Sequence, residues 1–246
     1  MKQTPNTVFL TGATSGIGLG LALRLHELGD KVIISGRRED RLDRIAAEHP
    51  GIETVPLDVA DPARIAEVAD EVTRAHPELN VVATVAGIMH PERLLDPAHL
   101  ATAEATVTTN LLGTIRVLSA FLPFLAEQPE AAVITVSSGL AFVPLPLTPT
   151  YAATKAAIHS YTESLRVQLA DTPVRVFELV PPAVQTALMN QEDDENAMPL
   201  EPFLSEAMAL LAAQAEGELL VETVKPLRYA ERDGSYPQVL AQLSHF

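Results

Sequence analysis

The sequence predicts an α/β fold in which one parallel sheet is covered by helices on both faces, and three observations carry that expectation. Short runs rich in β-branched residues alternate with segments of helical period. A glycine-rich turn joins the first such run to the first helical segment. No Gly/Ser-rich or highly charged linker divides the 246 residues, a length that suits one large domain. A single domain, residues 1–246, with a doubly wound sheet in a three-layer α/β/α arrangement is therefore expected.

Strands are read at residues 7–11, 31–35, 52–57, 81–85, 132–136 and 174–180, and the helices between them imply parallel crossover connections. The first helix carries Ile17, Leu21, Leu25 and Leu28 on one face and stops at Gly29, a residue suited to a left-handed C-cap. Asp61-Pro62 opens the third helix as an N-cap followed by a proline whose missing N–H costs nothing there; Ile65, Val68 and Val72 form its buried stripe. Two longer helical stretches, residues 97–124 and 151–170, carry more apolar residues than one sheet-facing stripe needs, which points to a subunit interface. Residues 181–202 mix prolines with the acidic run Glu192-Asp193-Asp194-Glu195, so an exposed, mobile substrate loop is expected, followed by a helix at 203–213.

Composition narrows the function. A net charge of −15 with 47% hydrophobic residues suits a soluble globule and repels a phosphate backbone, so nucleic acid is not an expected partner. The absence of cysteine excludes disulfides and thiolate chemistry. The first six residues lead into the first strand without a signal-peptide core, and no apolar run is read as long enough to span a bilayer. A cytoplasmic location without membrane attachment is the expectation. The seven histidines are scattered rather than set at ligand spacing, so no metal site is expected.

Gly12-Ala13-Thr14-Ser15-Gly16-Ile17-Gly18 lies between the first strand and the first helix, where a Rossmann-type fold aims free helix N–H groups at a pyrophosphate. Its glycines let the backbone approach the phosphates; the bland alternative is a tight β-to-α turn. Tyr151 and Lys155 lie one helical turn apart, so the ammonium can favour the phenolate of Tyr151 and bring it toward a working range. An apolar strand ending in Ser137-Ser138 precedes them, and ligands of open α/β sheets gather at such strand ends.

The Gly-x-x-x-Gly-x-Gly spacing after Thr11, the Ser-Ser strand end and the Tyr-x-x-x-Lys pair, in this order, resemble the short-chain dehydrogenase/reductase family from about residue 7 to residue 186. The resemblance implies an oxidoreductase that interconverts a carbonyl and an alcohol by direct hydride transfer. Tyr151 would be its general acid/base, Ser138 would orient the substrate oxygen, Lys155 would also hold the nicotinamide ribose, and Asn110 would bind a water of the proton relay. NADP(H) is preferred over NAD(H), because Gly36 stands where an NAD site places its carboxylate and Arg37 and Arg38 follow, although both arginines also suit an ordinary helix start. Asp58 would hold the adenine amino group with Val59 beside the ring; a turn-forming aspartate is the alternative. Ala86-Gly87 would pack on the cofactor, and Val184 and Thr186 would contact its carboxamide and phosphates, or belong to an ordinary loop. A homodimer or homotetramer is implied.

The chain departs from the family at three places. Thr84-Val85-Ala86-Gly87 has valine where the central asparagine of Asn-Asn-Ala-Gly is usual, Pro181-Pro182 replaces Pro-Gly, and a terminal Val-Asp-Gly-Gly is missing. The tail, through Leu219-Leu220-Val221-Glu222 to Lys225-Pro226-Leu227-Arg228, resembles that of a branch of uncharacterised oxidoreductases associated with D-alanyl-lipoteichoic acid operons. Residues 141–147 form an apolar loop suited either to the substrate pocket or to subunit packing. Two other functions are weighed: a hydroxy-acid dehydrogenase using His90 or Arg93 to hold a carboxylate, and a non-catalytic NADPH-binding sensor.

Overall fold

In a computed structural model, described here for residues 5–244, seven strands form one parallel sheet in the order β3-β2-β1-β4-β5-β6-β7. The strands are β1 (Thr7–Thr11), β2 (Lys31–Gly36), β3 (Ile52–Pro56), β4 (Val81–Thr84), β5 (Ala131–Val136), β6 (Val174–Val180) and β7 (Gly217–Leu220). Residues 1–4, where a signal sequence would begin, lie outside the described part. Strand order reverses between β1 and β4, which pair from Val8↔Val81 to Thr11↔Thr84. That reversal opens a crevice at the carboxyl ends of both strands, where such folds bind ligands.

Side chains alternate across β1, so Val8 and Leu10 enter one core while Phe9 enters the other. The first core is closed by α1 (Gly16–Glu27), α2 (Glu39–Glu48) and α7 (Leu200–Ala213), through Leu21, Leu25, Leu42 and Phe203. The second is closed by α3 (Pro62–Ala75), α5 (Gly113–Ala126) and α6 (Pro149–Gln168), through Val68, Phe121 and Leu165. Phe9 and Phe121 stack at 4.9 Å between sheet and helix. Burial on both faces explains why the central strands read as continuous apolar runs.

Asp61 caps α3 as its sequence requires, accepting from the N–H groups of Ala63 and Arg64 at 2.9 and 3.1 Å. The stretch expected as one helix at 97–124 consists of α4 (His99–Thr106), a π-helical turn (Val107–Leu112) and α5, continuous in space. The span His99–Ala126 is long and apolar enough to cross a membrane, contrary to the expectation that no such run exists. Val117, Leu118, Phe121 and Leu125 are nevertheless fully buried against the sheet, as in a core helix.

The chain from 181 to 199 is less exposed than its acidic composition predicts. Val184 bridges to Met198, Gln185 N–H donates to Met198 O at 2.9 Å, and Val184 and Ala197 are buried. Backbone pairing of Ala183, Val184 and Gln185 with Met198, which composition does not signal, accounts for the difference. Beyond β7, α8 (Lys225–Arg228) and α9 (Tyr236–Leu243) return toward the crevice.

Candidate active site

The crevice is a cleft of about 860 Å³, and every catalytic or cofactor residue nominated from the sequence lines it except Asn110. Its phosphate end is the β1–α1 turn. Gly12 and Gly16 have φ of +69° and +54°, and a Cβ on Gly12 would lie 2.4 Å from the Ala86 Cα. A side chain at Gly12 would therefore both strain the turn and collide with backbone. The first turn of α1 holds no acidic residue, and Ser15 at its N-cap makes no side-chain capping bond, so its N–H groups are left to an anion. The turn fits a dinucleotide.

At the end of β2, Arg38 reaches across to Thr14 Oγ1 at 2.9 Å and Ser15 Oγ at 3.4 Å. Its pKa is lowered from the usual arginine value, first by partial burial and then by the like charges of Arg41 and Arg37. These guanidiniums form a site of positive potential at the rim. A Cβ at Gly36 would stand 2.6 Å from Thr14 Cγ2, so steric fit as well as charge keeps a carboxylate from this position. Asp58 Oδ1 accepts from Ala60 N–H at 2.9 Å, which turns the chain after β3 so that Asp58 and Val59 face the cleft.

The reactive end is built on β5 and α6. Ser138 continues β5 in extended conformation, and its Oγ accepts from Leu140 N–H at 3.1 Å. Tyr151, in the first turn of α6, is buried and lines the same wall as Ser138. Lys155 Nζ donates to Val136 O at 2.7 Å and lies 5.6 Å from the centre of the Tyr151 ring. Burial pushes Tyr151 up to about 12, opposed in part by Ser138, and pushes Lys155 down to about 8. Desolvation, not the charge of Lys155, sets the direction for Tyr151 here, opposite to the lowering expected from the Tyr-x-x-x-Lys spacing. With its pKa raised by burial, the Tyr151 phenol is neutral near pH 7.

Asn110 stands behind this end, not in its wall. The π-helical turn carries it, its Oδ1 accepts from Ile88 N–H at 2.8 Å, and its Nδ2 donates to Ile88 O at 2.9 Å. It thereby fixes the backbone just past Ala86-Gly87, and Gly87 leaves space between Asn110 and Lys155. Val85, in place of the usual asparagine, is partly buried against the first core. Thr186 packs over Gly16, where a Cβ would lie 3.2 Å from its Cγ2, and Val184 is anchored by the bridge to Met198.

Three features escaped the sequence reading. Leu188, Leu227 and Leu243, from the segment after β6 and from the tail, join Leu140 and Leu145 as apolar wall. Glu92, its side chain almost wholly buried, accepts from Thr150 N–H at 3.0 Å and Thr150 Oγ1 at 2.7 Å, tying the β4 loop to the turn of α6 that bears Tyr151. The histidines are not all scattered: donor atoms of His159, Glu163 and Glu178 lie within 4.8 Å of one another. The oxygens of Glu178 are already occupied by Ser137 and His159. Of the two residues considered for carboxylate binding, His90 lines the cleft and Arg93 does not.

The family model for short chain dehydrogenase matches residues 6–197. A Bacillus subtilis (strain 168) protein named uncharacterized oxidoreductase DltE is 39% identical, over 99% of this chain and 98% of its own length. Among solved structures, a short chain dehydrogenase from Burkholderia cenocepacia J2315 in complex with NADP superposes with a TM-score of 0.84 at 24% identity, covering 99% of each chain. An alcohol dehydrogenase from the archaeon Thermococcus sibiricus complexed with 5-hydroxy-NADP gives a TM-score of 0.79 at 26% identity, over 89% of this chain and 96% of the other.

Proposed function

Because the chain belongs to the short-chain dehydrogenase/reductase family and is an oxidoreductase with a nicotinamide cofactor, we propose that it reduces a small or medium, partly apolar carbonyl compound to an alcohol, with NADPH preferred over NADH. The observation that carries this reading is the group of buried Ser138, Tyr151 and Lys155 side chains at the wall of the cleft, with the Lys155 ammonium 5.6 Å from the centre of the Tyr151 ring. The bound nicotinamide supplies the hydride. Ser138 offers a hydroxyl to the substrate oxygen, and the neutral Tyr151 phenol donates a proton to that oxygen as negative charge develops there. Lys155, charged near neutral pH, steadies the phenolate that is left, and the reverse sequence oxidises the alcohol.

Arg37 and Arg38 support the NADP(H) preference, since guanidiniums pair with a 2′-phosphate that a carboxylate would repel. The leucine wall supports an apolar substrate. A hydroxy-acid substrate is weakened by the position of Arg93 outside the cleft, and His90 alone remains for it. A non-catalytic NADPH sensor would have no need of the Ser138, Tyr151 and Lys155 constellation. Action in the cytoplasm as a homodimer or homotetramer completes the proposal.

The test is a screen of carbonyl compounds and alcohols followed by NADPH absorbance, with Tyr151→Phe as control. Removal of the proton donor is expected to cost roughly 100-fold or more in kcat while NADPH binding stays near wild type. Turnover by the Phe variant close to wild type would reject Tyr151 as the acid, and equal efficiency with NADH would reject the cofactor preference.

A further inference from the structure

Behind the strand end that carries Ser138 lies a charged group that hydride transfer does not use. Glu178 of β6, opposite Thr135 of β5, is completely buried. A carboxylate in that position is tolerated only when donors fill its oxygens. Ser137 Oγ donates to Oε1 at 2.5 Å, and His159 Nδ1 lies 3.0 Å from both oxygens. His159 follows Tyr151 and Lys155 at the same four-residue spacing along α6, so one helix carries the proton donor, the ammonium and this imidazole.

Each element packed around His159 presents a charge or a ring. Glu178 comes from β6; Glu218 of β7 is 3.7 Å away; Glu163 lies one turn further along α6; Arg228 of α8 pairs with Glu218 at 2.7 Å. Phe142, from the loop that begins at Ser138, sets its ring edge-on to His159 at 4.8 Å, and the Arg228 guanidinium stacks on it at 4.5 Å. The hydrogen bond with Glu178 dominates and raises the His159 pKa above the usual histidine value, against partial burial and Arg228.

We propose that Glu178 and His159 are positioning residues for the reaction: their ion pair clamps the Ser137 side chain and so fixes the neighbouring Ser138 hydroxyl. This rests on the reading of Ser138 and Tyr151 as the reacting side chains. The backbone on either side is already held, by Leu179 O on Ser137 N–H at 3.0 Å and by Pro181 O on Gly139 N–H at 2.8 Å. Those bonds fix the chain path, whereas the Ser137–Glu178 bond holds the Ser137 side chain on one face of the strand end and so sets the rotation that turns Ser138 to the other. When His159 loses its proton, Glu178 keeps a buried negative charge with only neutral donors, and the clamp loosens. The pair therefore holds at low pH and fails as pH rises through the raised His159 pKa.

The experiment measures kcat, KM and NADPH affinity across pH for wild type, Glu178→Gln, His159→Gln and His159→Lys, with His159 titrated by NMR in the wild type. Expected are a kcat loss of about tenfold or more in both Gln variants, from a misplaced hydroxyl, with NADPH affinity within about twofold of wild type. An alkaline fall in wild-type kcat that tracks the NMR titration should vanish in His159→Gln. His159→Lys, which keeps a cation, should recover activity and carry it to higher pH. Wild-type kcat in the Gln variants, or a pH profile blind to the His159 titration, would overturn the proposal. If Glu178→Gln does not fold, His159→Gln decides, since that side chain reaches the surface. An inactive Tyr151→Phe beside fully active Gln variants rejects the positioning role alone, whereas an active Tyr151→Phe rejects the catalytic reading beneath it.

Discussion

At the scale of the residue, the central fact is a desolvated pair: Tyr151 held up at about 12 and Lys155 held down at about 8. The folded-state value for Lys155 lies below the 10.5 of an ordinary lysine, so between pH 8 and 10.5 the unfolded chain binds the proton more firmly. Stability contributed by this group therefore rises with pH across that window. Replacing the ammonium by an apolar chain, Lys155→Met, removes the effect. The unfolding free energy of wild type relative to Lys155→Met should increase by about 2–3 kcal/mol between pH 8 and 10.5, measured by denaturant titration. A difference that stays flat with pH would show that Lys155 is not desolvated in solution. The chemistry-bearing types were legible because Tyr151 and Lys155 are neighbours along the chain. Burial was not, since it arises from β5 and the loop after it. Glu178 and His159 were invisible for the same reason: 41 residues separate Glu178 from Ser137, and 19 separate it from His159.

Elements show where periodicity carries information and where it stops. β1 and β6 match their expected bounds, because β1 lies between Asn6 and the glycine turn and β6 between Pro173 and Pro181, residues that do not extend a strand. β7 was missed: four residues beginning at a glycine of φ +110°, with a glutamate inside, give no alternating or continuous apolar signal. The π-helical turn was likewise hidden, since one widened turn hardly alters the spacing of apolar residues, yet it is what carries Asn110 toward Ile88. The glycine turn was legible in full, and the structure adds its partner, the end of β4. Gly12→Ala drives a Cβ into Ala86 backbone at 2.4 Å and imposes φ of +69° on an L-residue. A loss of about 2–3 kcal/mol in stability is expected. NADPH affinity should fall by about tenfold or more as β1 and β4 part, read by cofactor fluorescence titration. Unchanged affinity would mean that the turn binds no pyrophosphate.

For the whole molecule, the sheet order and the two cores follow from alternation and crossover rules, while assembly rests on surfaces that neither rule constrains. The sequence placed excess apolar residues on two long helical stretches, and the structure leaves part of that excess in solvent. Leu100 of α4, Leu112 of the π-helical turn and Val167 of α6 are 57%, 38% and 77% exposed. A chain of net charge −15 repels its copies at long range, so association needs a contact that buries apolar area at short range, and these elements offer it, beside Leu94 and Leu95 of the loop after β4. Screening by salt should therefore strengthen assembly, the reverse of an interface held by opposite charges. Light scattering of the purified chain is expected to give two or four times the 26.4 kDa of one copy. The double substitution Leu112→Glu/Val167→Glu should lower that mass to one copy while the far-ultraviolet circular dichroism stays unchanged, because both side chains lie outside the two cores. A wild-type mass of one copy at micromolar concentration in high salt would overturn the assembly, and an intact oligomer in the double variant would move the interface off these helices.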